Sequence, residues 1–584
     1  MSTRLTSERP ASGRLASEQL ASGRLTETPD VYGAFPRLDD AQIAVLADCG
    51  TKRATHAGEV LYAQGERTQE FFVILSGMVA IVDGADGEEQ IVRVHGPGRF
   101  LGELGMLEGQ PAYVGAVVAE PGEVLALPVS ALVELVTSDP VLGDLILRAY
   151  LIRRSLMIGM GSGLRIVGSC FSPDTKRLLE FAARNRLPHK LIDLEKDEQA
   201  EVLLRRFGVA VEETPVVIAP GAAVLRNPST KDLARLMGLH NEFVPRDLCD
   251  LLVVGTGPAG LAAAVYGASD GLSVVTVDSV AAGGQAGTTS RIENYLGFPA
   301  GISGPELAER SVIQAEKFGA SVEVPVEAVA FEPRDGHYVV RFDDGSELSA
   351  RTVVIATGAR YRKLDVPRLA DFEATDVHYA ATLHEAKACQ ANPVAIVGGG
   401  NSAGQAAIFL AESVPKVYLV VRNGDLNADM SRYLVDRVLR HPRIEVLLHN
   451  EVRELLGEKD LDGVVVEDNR TGQRRTLAVR ALFVFIGAIP CTSWLSSMIA
   501  LDEDGFVLTG QQAAAATTEA GWWHRGRSPL MLETNRPGVF AIGDVRSGSI
   551  KRVGSAVGEG AMVVRLIHEH LAFGANADQG FEVH

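Results

Sequence analysis

The sequence predicts a multidomain α/β fold, and three observations carry that expectation. Two segments, 250–278 and 394–412, each carry an apolar strand that runs into a glycine-rich turn and a helix of small residues. Between 164 and 240, strand-like and helix-like segments alternate over the length of one small α/β unit. Before them, residues 31–128 hold short apolar runs punctuated by glycine, the pattern of a sandwich or roll.

The 584 residues allow about three to five domains at ~100–200 residues each. With 46% hydrophobic and 22% charged residues, the chain has the composition of a globular protein. Its 60 glycines suit tight turns and nucleotide loops. A formal net charge of -18 repels nucleic acid and anionic lipid, so no nucleic-acid partner is expected. No run approaches the ~18 apolar residues of a membrane span. The N-terminus lacks the apolar core of a signal peptide. Cys49, Cys170, Cys249, Cys389 and Cys491 are scattered and odd in number, which excludes a disulfide framework. A cytoplasmic location is the default expectation.

In chain order, residues 1–30 are polar and echo SGRL twice, the composition of a disordered tail. The β-rich module occupies 31–160 and ends in helical apolar spacing over 129–157, interrupted at Pro140. GMGSG at 159–163 reads as a flexible joint. The small α/β unit follows over 161–240.

In DLLVVGTGPAGLAAAVYGASDGLSVVTVD the strand enters Gly255-x-Gly257-x-x-Gly260, with Pro258 and Ala259 opening the helix. Asp278 closes the next strand, 18 residues after Gly260. Such a turn lets a pyrophosphate approach the backbone and the helix N-terminus, and the acid accepts from a ribose hydroxyl. Strand, helix and acid together make this the strongest signal in the chain. VAIVGGGNSAGQAAIFLAE repeats the design with Gly398, Gly400, Asn401, Ser402 and Ala403. Each turn predicts a Rossmann-like three-layer domain.

Together with GGQAGTTSRIENYLGFP, VVIATGA and PGVFAIGDV, these motifs resemble the low-molecular-weight thioredoxin reductase family over about 249–584. The resemblance implies an FAD-binding domain at 247–365 and 495–584 and an NAD(P)-binding domain inserted at 366–494; a homodimer is expected as well. Gly284, Gln285 and Asn294 would line the flavin, and Ala356, Thr357 and Gly358 form the crossover. Gly543 and Asp544 would hold ribitol and pyrophosphate, while Lys551 and Arg552 fall on the family's Arg–Gln pair. The family prefers NADPH through a basic cluster. Here only Arg422 matches, the other positions being Val421, Asn423 and Asn427. No acid signals NADH, so NADPH is the expected donor, with NADH as the alternative.

The family's redox cysteines fall on Ala380 and Leu383, and its proton-donating aspartate on His384. His384 is the candidate acid, or a surface histidine. Cys389 is the candidate single thiol, or a buried small hydrophobe. No metal site is expected.

FLGELGMLEGQPAYVGAVV, residues 100–118, resembles the phosphate cassette of cyclic-nucleotide-binding domains, a β-roll fold. Gly102 and Glu103 would meet the cyclic phosphate and ribose. The phosphate arginine is missing, since 111–113 read Pro111, Ala112 and Tyr113. Residues 161–240 resemble a thioredoxin or glutaredoxin fold, with Thr214–Pro215 at its cis-proline. Its C-x-x-C falls on Ser169 and Ser172, or on Cys170 and Pro173, and neither frame gives a dithiol.

The leading reading is an FAD-dependent NAD(P)H oxidoreductase. It would pass electrons to an external acceptor such as ferredoxin, flavodoxin, a quinone or oxygen, with the N-terminal module as its candidate regulator. Trp522, Trp523, His524 and Arg525 are candidates to cover the acceptor site, or an interface loop. The alternatives are a small-disulfide reductase using one thiol or a partner's, and a non-catalytic redox sensor.

Overall fold

The structure is a computed structural model. It describes residues 25–578 apart from 85–89, 198–199, 222, 240–247, 290, 293–294, 373–374, 380, 382–388, 390 and 517–526. The chain divides into two compact units, Met1–Glu242 and Phe243–His584.

The first unit opens with α1 (Asp40–Ala47), capped by Asp39, and then builds a roll. Its strands are β1 (Thr51–Thr55), β2 (Val60–Tyr62), β3 (Glu70–Asp83), β4 (Gln90–His95) and β5 (Gly115–Pro128). They form one antiparallel sheet in the order β1-β5-β3-β4, with β2 also on β5. Residues 25–30 depart from the expected tail. Thr28 N donates to Val94 O at 2.9 Å, and Glu27 pairs with Arg99 at 2.8 Å and with Arg37. The roll ends in α2 (Val129–Ser138) and α3 (Pro140–Met160), broken where expected, with Asp139 capping α3.

The α/β unit comprises β6 (Leu164–Gly168), α4 (Pro173–Arg184), β7 (His189–Asp193), α5 (Ala200–Arg206), β8 (Val216–Ile218), β9 (Val224–Arg226) and α6 (Thr230–Met237). Its sheet order is β7-β6-β8-β9, and the Thr214–Pro215 peptide is cis. The joint expected at 159–163 is a packed corner instead. α3 runs to Met160, and a Cβ on Gly163 would lie 2.4 Å from Pro188 O and 2.9 Å from Tyr113 Cδ1. Tyr113 enters a core with Met157, Leu164, Phe181 and Met237, so roll and α/β unit share one hydrophobic interior.

The second unit begins with β10 (Cys249–Val254), α7 (Pro258–Ser269), β11 (Val274–Val277), α8 (Gly304–Lys317) and β12 (Ser321–Glu323). Next come β13 (Ala328–Arg334), β14 (His337–Phe342), β15 (Glu347–Ile355) and β16 (Ala359–Tyr361). β10, β11, β12 and β15 are parallel neighbours. β15 changes partner along its length, pairing with β14 at Glu347–Ala350 and with the late strand β26 (Val539–Ala541) at Val353–Ile355. The apolar run of β10 and the Val353–Ile355 end of β15 fit strands covered on both faces.

The inserted domain has a parallel sheet in the order β17-β24-β18-β19-β20. These are β17 (Val377–His378), β18 (Val394–Val397), β19 (Val417–Val421), β20 (Ile444–Leu448) and β24 (Ala481–Val484). α9 (Asn401–Ala411) follows β18, and α10 (Arg432–Arg440) follows β19. An antiparallel ribbon of β21 (Asn450–Leu456), β22 (Gly463–Asp468) and β23 (Arg474–Leu477) extends it. β16 pairs with β25 (Ala488–Pro490) at the crossover, and α11 (Val553–Asp578) packs on α7. Among the described residues no helix is long and apolar enough to cross a membrane.

Candidate flavin and nucleotide site

β10 delivers four buried residues into a turn with no room for side chains. Gly255 has φ +110, and a Cβ there would stand 2.3 Å from Ala356 O. A Cβ on Gly260 would stand 1.8 Å from Gly255 O, which is why the helix can press on the strand. No side chain caps α7, so its first-turn N–H groups remain open to an anion. Asp278 Oδ2 accepts from Thr256 N at 3.0 Å, and Oδ1 accepts from Val280 N at 3.1 Å. The predicted ribose acid therefore also braces the glycine turn. Gly284 comes down on the turn, since its Cβ would lie 2.9 Å from Gly257 Cα. Gln285 is exposed beside it, and Asn294 lies outside the described residues.

The crossover is held by backbone groups and one side-chain hydroxyl. Ala356 N donates to Val254 O at 2.8 Å, Cys491 N to Gly358 O at 3.0 Å, and Thr357 Oγ1 to Cys491 O at 2.8 Å. Gly543 N donates to Glu559 Oε2 at 2.7 Å, and Arg546 pairs with the same carboxylate. Sequence reasoning missed Glu559 and Arg546. The available signal was an acid within the small and apolar run GSAVGEGAMVV. Burial raises the Asp544 carboxyl above its ordinary value, and Lys551 opposes that rise. Lys551 lies over the Phe506 ring at 4.5 Å, and Arg552 is exposed next to it.

The second turn has the same construction. Gly398 has φ +145, and a Cβ there would lie 2.3 Å from Phe485 O. Gly400 starts α9 with no capping side chain, while Ser402 and buried Ala403 follow in its first turn. Asn401 points elsewhere than a ligand alone requires, since its Oδ1 accepts from Ser431 N at 2.7 Å and fixes the start of α10. Arg422 stands exposed at the end of β19.

None of the five cysteines is in a disulfide. Cys389 is 5% exposed and packs in the inserted domain's core with Val394, Ala403 and Val414. Of its two expected roles, its surroundings fit the small hydrophobe. Burial raises the Cys491 thiol at the crossover, with Arg360 opposing. His384, Ala380, Leu383 and the Trp522–Arg525 stretch lie outside the described residues.

In the α/β unit Ser172 caps α4 by accepting from Thr175 N, and Ser169 Oγ donates to Glu195 at 2.7 Å. Burial and the hydrogen bond to Asp193 raise the Cys170 thiol, the wrong direction for a nucleophile. In the roll, Gly102 has φ +92 and its carbonyl accepts from Arg153 at 2.6 Å. Glu103 Oε1 accepts from Tyr113 N at 3.0 Å, while Oε2 has no hydrogen-bond partner among the described residues. Burial pushes the Glu103 carboxyl up to about 7, with Arg154 opposing. The position expected to hold a phosphate arginine thus holds a tyrosine turned into the shared core. Among the described residues no group of three or more His, Cys, Asp or Glu side chains is placed to hold a metal.

Residues 249–560 match the family described as pyridine nucleotide-disulphide oxidoreductase, and residues 52–139 match the cyclic nucleotide-binding domain. A thioredoxin reductase of Streptomyces clavuligerus is 31% identical over 334 residues, spanning 57% of this chain and 97% of the relative. The 34.2 kDa protein in rubredoxin operon of Clostridium pasteurianum is 29% identical over 322 residues, spanning 55% of this chain and 97% of its own. The thioredoxin reductase of Lactococcus lactis in its FR conformation is 26% identical. It covers 56% of this chain and 99% of its own, at a TM-score of 0.49. The chain belongs to the pyridine nucleotide-disulphide oxidoreductase family, as a thioredoxin reductase-like, NAD(P)H-dependent flavin oxidoreductase with a cyclic nucleotide-binding domain at its N-terminus.

Proposed function

We propose that this chain takes NADPH, or NADH, at the 398–403 turn and FAD at the 255–260 turn, and passes electrons to an acceptor outside the chain without an internal dithiol. The placement of sulfur carries this reading. In the second unit Cys249 starts β10 with its thiol on Ser349 O, Cys389 is in the inserted domain's core, and Cys491 is at the crossover. A dithiol relay needs two sulfurs that meet each other and the flavin in turn. FAD supplies, when bound, the two-electron chemistry. The chain's own residues do the rest. The uncapped starts of α7 and α9 receive the pyrophosphates, Asp278 and Asp544 orient hydroxyls, and Glu559 keeps the Gly543 turn in place.

The test is anaerobic titration of the purified flavoprotein with NADPH and then NADH, following the flavin's visible absorbance. Bleaching followed by reoxidation with a one-electron acceptor or oxygen is the expected result. Flavin that binds but does not bleach with either nucleotide overturns the reading in favour of a sensor. Rapid reduction of a small disulfide, abolished in Cys389→Ser, overturns it in favour of a single-thiol reductase.

A further inference from the structure

The ends of β19 and β20 meet over Gly424. The two strands are parallel with Val421 opposite Leu448, so Arg422 and His449 leave them side by side. His449 has φ 60, the left-handed region that side chains other than Asn, Asp and Gly seldom adopt. Its ring lies against Gly424, where a Cβ would stand 2.5 Å from Cε1 and Nε2. His449 N donates to Asn423 O at 3.2 Å. Asn469 clips the two ends together, its N donating to His449 O at 2.8 Å and its Nδ2 to Arg422 O at 3.0 Å.

The carboxylates around this junction are already engaged. Asp425 accepts from Asn427 N and Nδ2, and Asp429 accepts from Asn423 Nδ2. Glu451 pairs with Arg453 at 3.1 Å, and Asp468 accepts from Arg470 N and Thr471 N. The guanidinium of Arg422 and the imidazole of His449 have no side-chain partner among the described residues. In a βαβ nucleotide fold, the end of the second strand meets the 2′ position of the adenosine ribose. An acid there serves a hydroxyl, and an arginine serves a 2′-phosphate. β18, α9 and β19 form that unit here.

We propose that His449 is a specificity-determining residue that, with Arg422, takes the 2′-phosphate of NADPH. It supplies the second donor that Val421, Asn423 and Asn427 do not. This rests on the reading that the inserted domain binds a pyridine nucleotide. The test compares the full-length protein with His449→Asn, His449→Gly and Arg422→Ala. Asn and Gly both tolerate φ > 0, so the turn survives in either. Each variant is read by anaerobic flavin reduction with NADPH and with NADH, and by direct titration with 2′,5′-ADP and 5′-AMP.

The expected result is about tenfold weaker use of NADPH and binding of 2′,5′-ADP in both His449 variants, with NADH and 5′-AMP unchanged. Arg422→Ala is expected to lose at least as much. Equal loss for both nucleotides, or no loss for either, overturns the role of His449. A wild-type protein that binds 2′,5′-ADP no better than 5′-AMP also overturns it. Discrimination by 2′,5′-ADP without bleaching by NADPH leaves the 2′-phosphate site standing and fails the oxidoreductase reading instead.

Discussion

Gly255 bears two constraints at once, a positive φ of +110 and a carbonyl 2.3 Å from where its Cβ would lie. An alanine must relieve both by moving the turn away from Ala356. The backbone conformation alone costs ~1–3 kcal/mol, and the displaced turn is the one that receives the pyrophosphate. Gly255→Ala is therefore expected to lower flavin retention tenfold or more, measured as the ratio of flavin to protein absorbance after purification. This residue was legible in the sequence because its partners are local: the strand before it and the helix after it announce the turn. Arg422 was legible for the same reason. His449 and Asn469 were not, because each is tens of residues from the strand end it completes. Glu559 escaped as well, since only the fold brings α11 under the Gly543 turn.

Between elements, a buried carboxylate joins β26 to α11. Glu533 is fully buried and receives Arg527 at 2.6 and 2.9 Å, Leu530 N at 2.9 Å and Gly538 N at 2.8 Å, with His570 at 3.5 Å. Burial opposes its ionisation, but hydrogen bonds from Arg527, His570 and the two amides outweigh it and hold the group at about 2. The folded value lies below the unfolded one, so the stabilisation is complete above about pH 4.5. It drains away as the pH falls toward 2, because the unfolded chain takes up the proton first. Melting temperature is expected to fall across that window, and Glu533→Gln to flatten the fall. The same variant leaves Arg527 without its counter-charge and is expected to cost ~3–5 kcal/mol in urea unfolding near neutral pH. Periodicity announced the strands and helices that meet here. It could not announce the charge between them, because a lone Glu in LETNRPG looks like any surface acid.

At the scale of the whole first unit, Tyr113 decides what the roll can do. From sequence it was the residue standing where a phosphate arginine was missing. In the structure it is fully buried between roll and α/β unit, and its hydroxyl has no hydrogen-bond partner among the described residues. Tyr113→Phe is expected to be neutral or slightly stabilising, since it removes an unsatisfied polar atom. Tyr113→Ala is expected to cost ~3–5 kcal/mol, as large aromatic truncations in a core do. Chemical denaturation of the full chain measures both, and equal effects of the two variants would count against the shared core. The second unit was read more fully in advance, because each of its glycine turns carries a strand and a helix as context. The first unit yielded its strands and its break at Pro140, but not its seam, since a corner such as GMGSG has the composition of a free linker.

That seam bears on how such a chain is inherited. A recombination point placed between Pro128 and Leu164 would leave the aromatic ring of Tyr113 and the faces of Met157, Phe181 and Met237 bare on two separate products. Neither half could be lent to another protein without carrying that exposed surface with it. Roll and α/β unit are therefore one part for any exchange of segments, and a transfer of either alone is expected to carry that bared core with it.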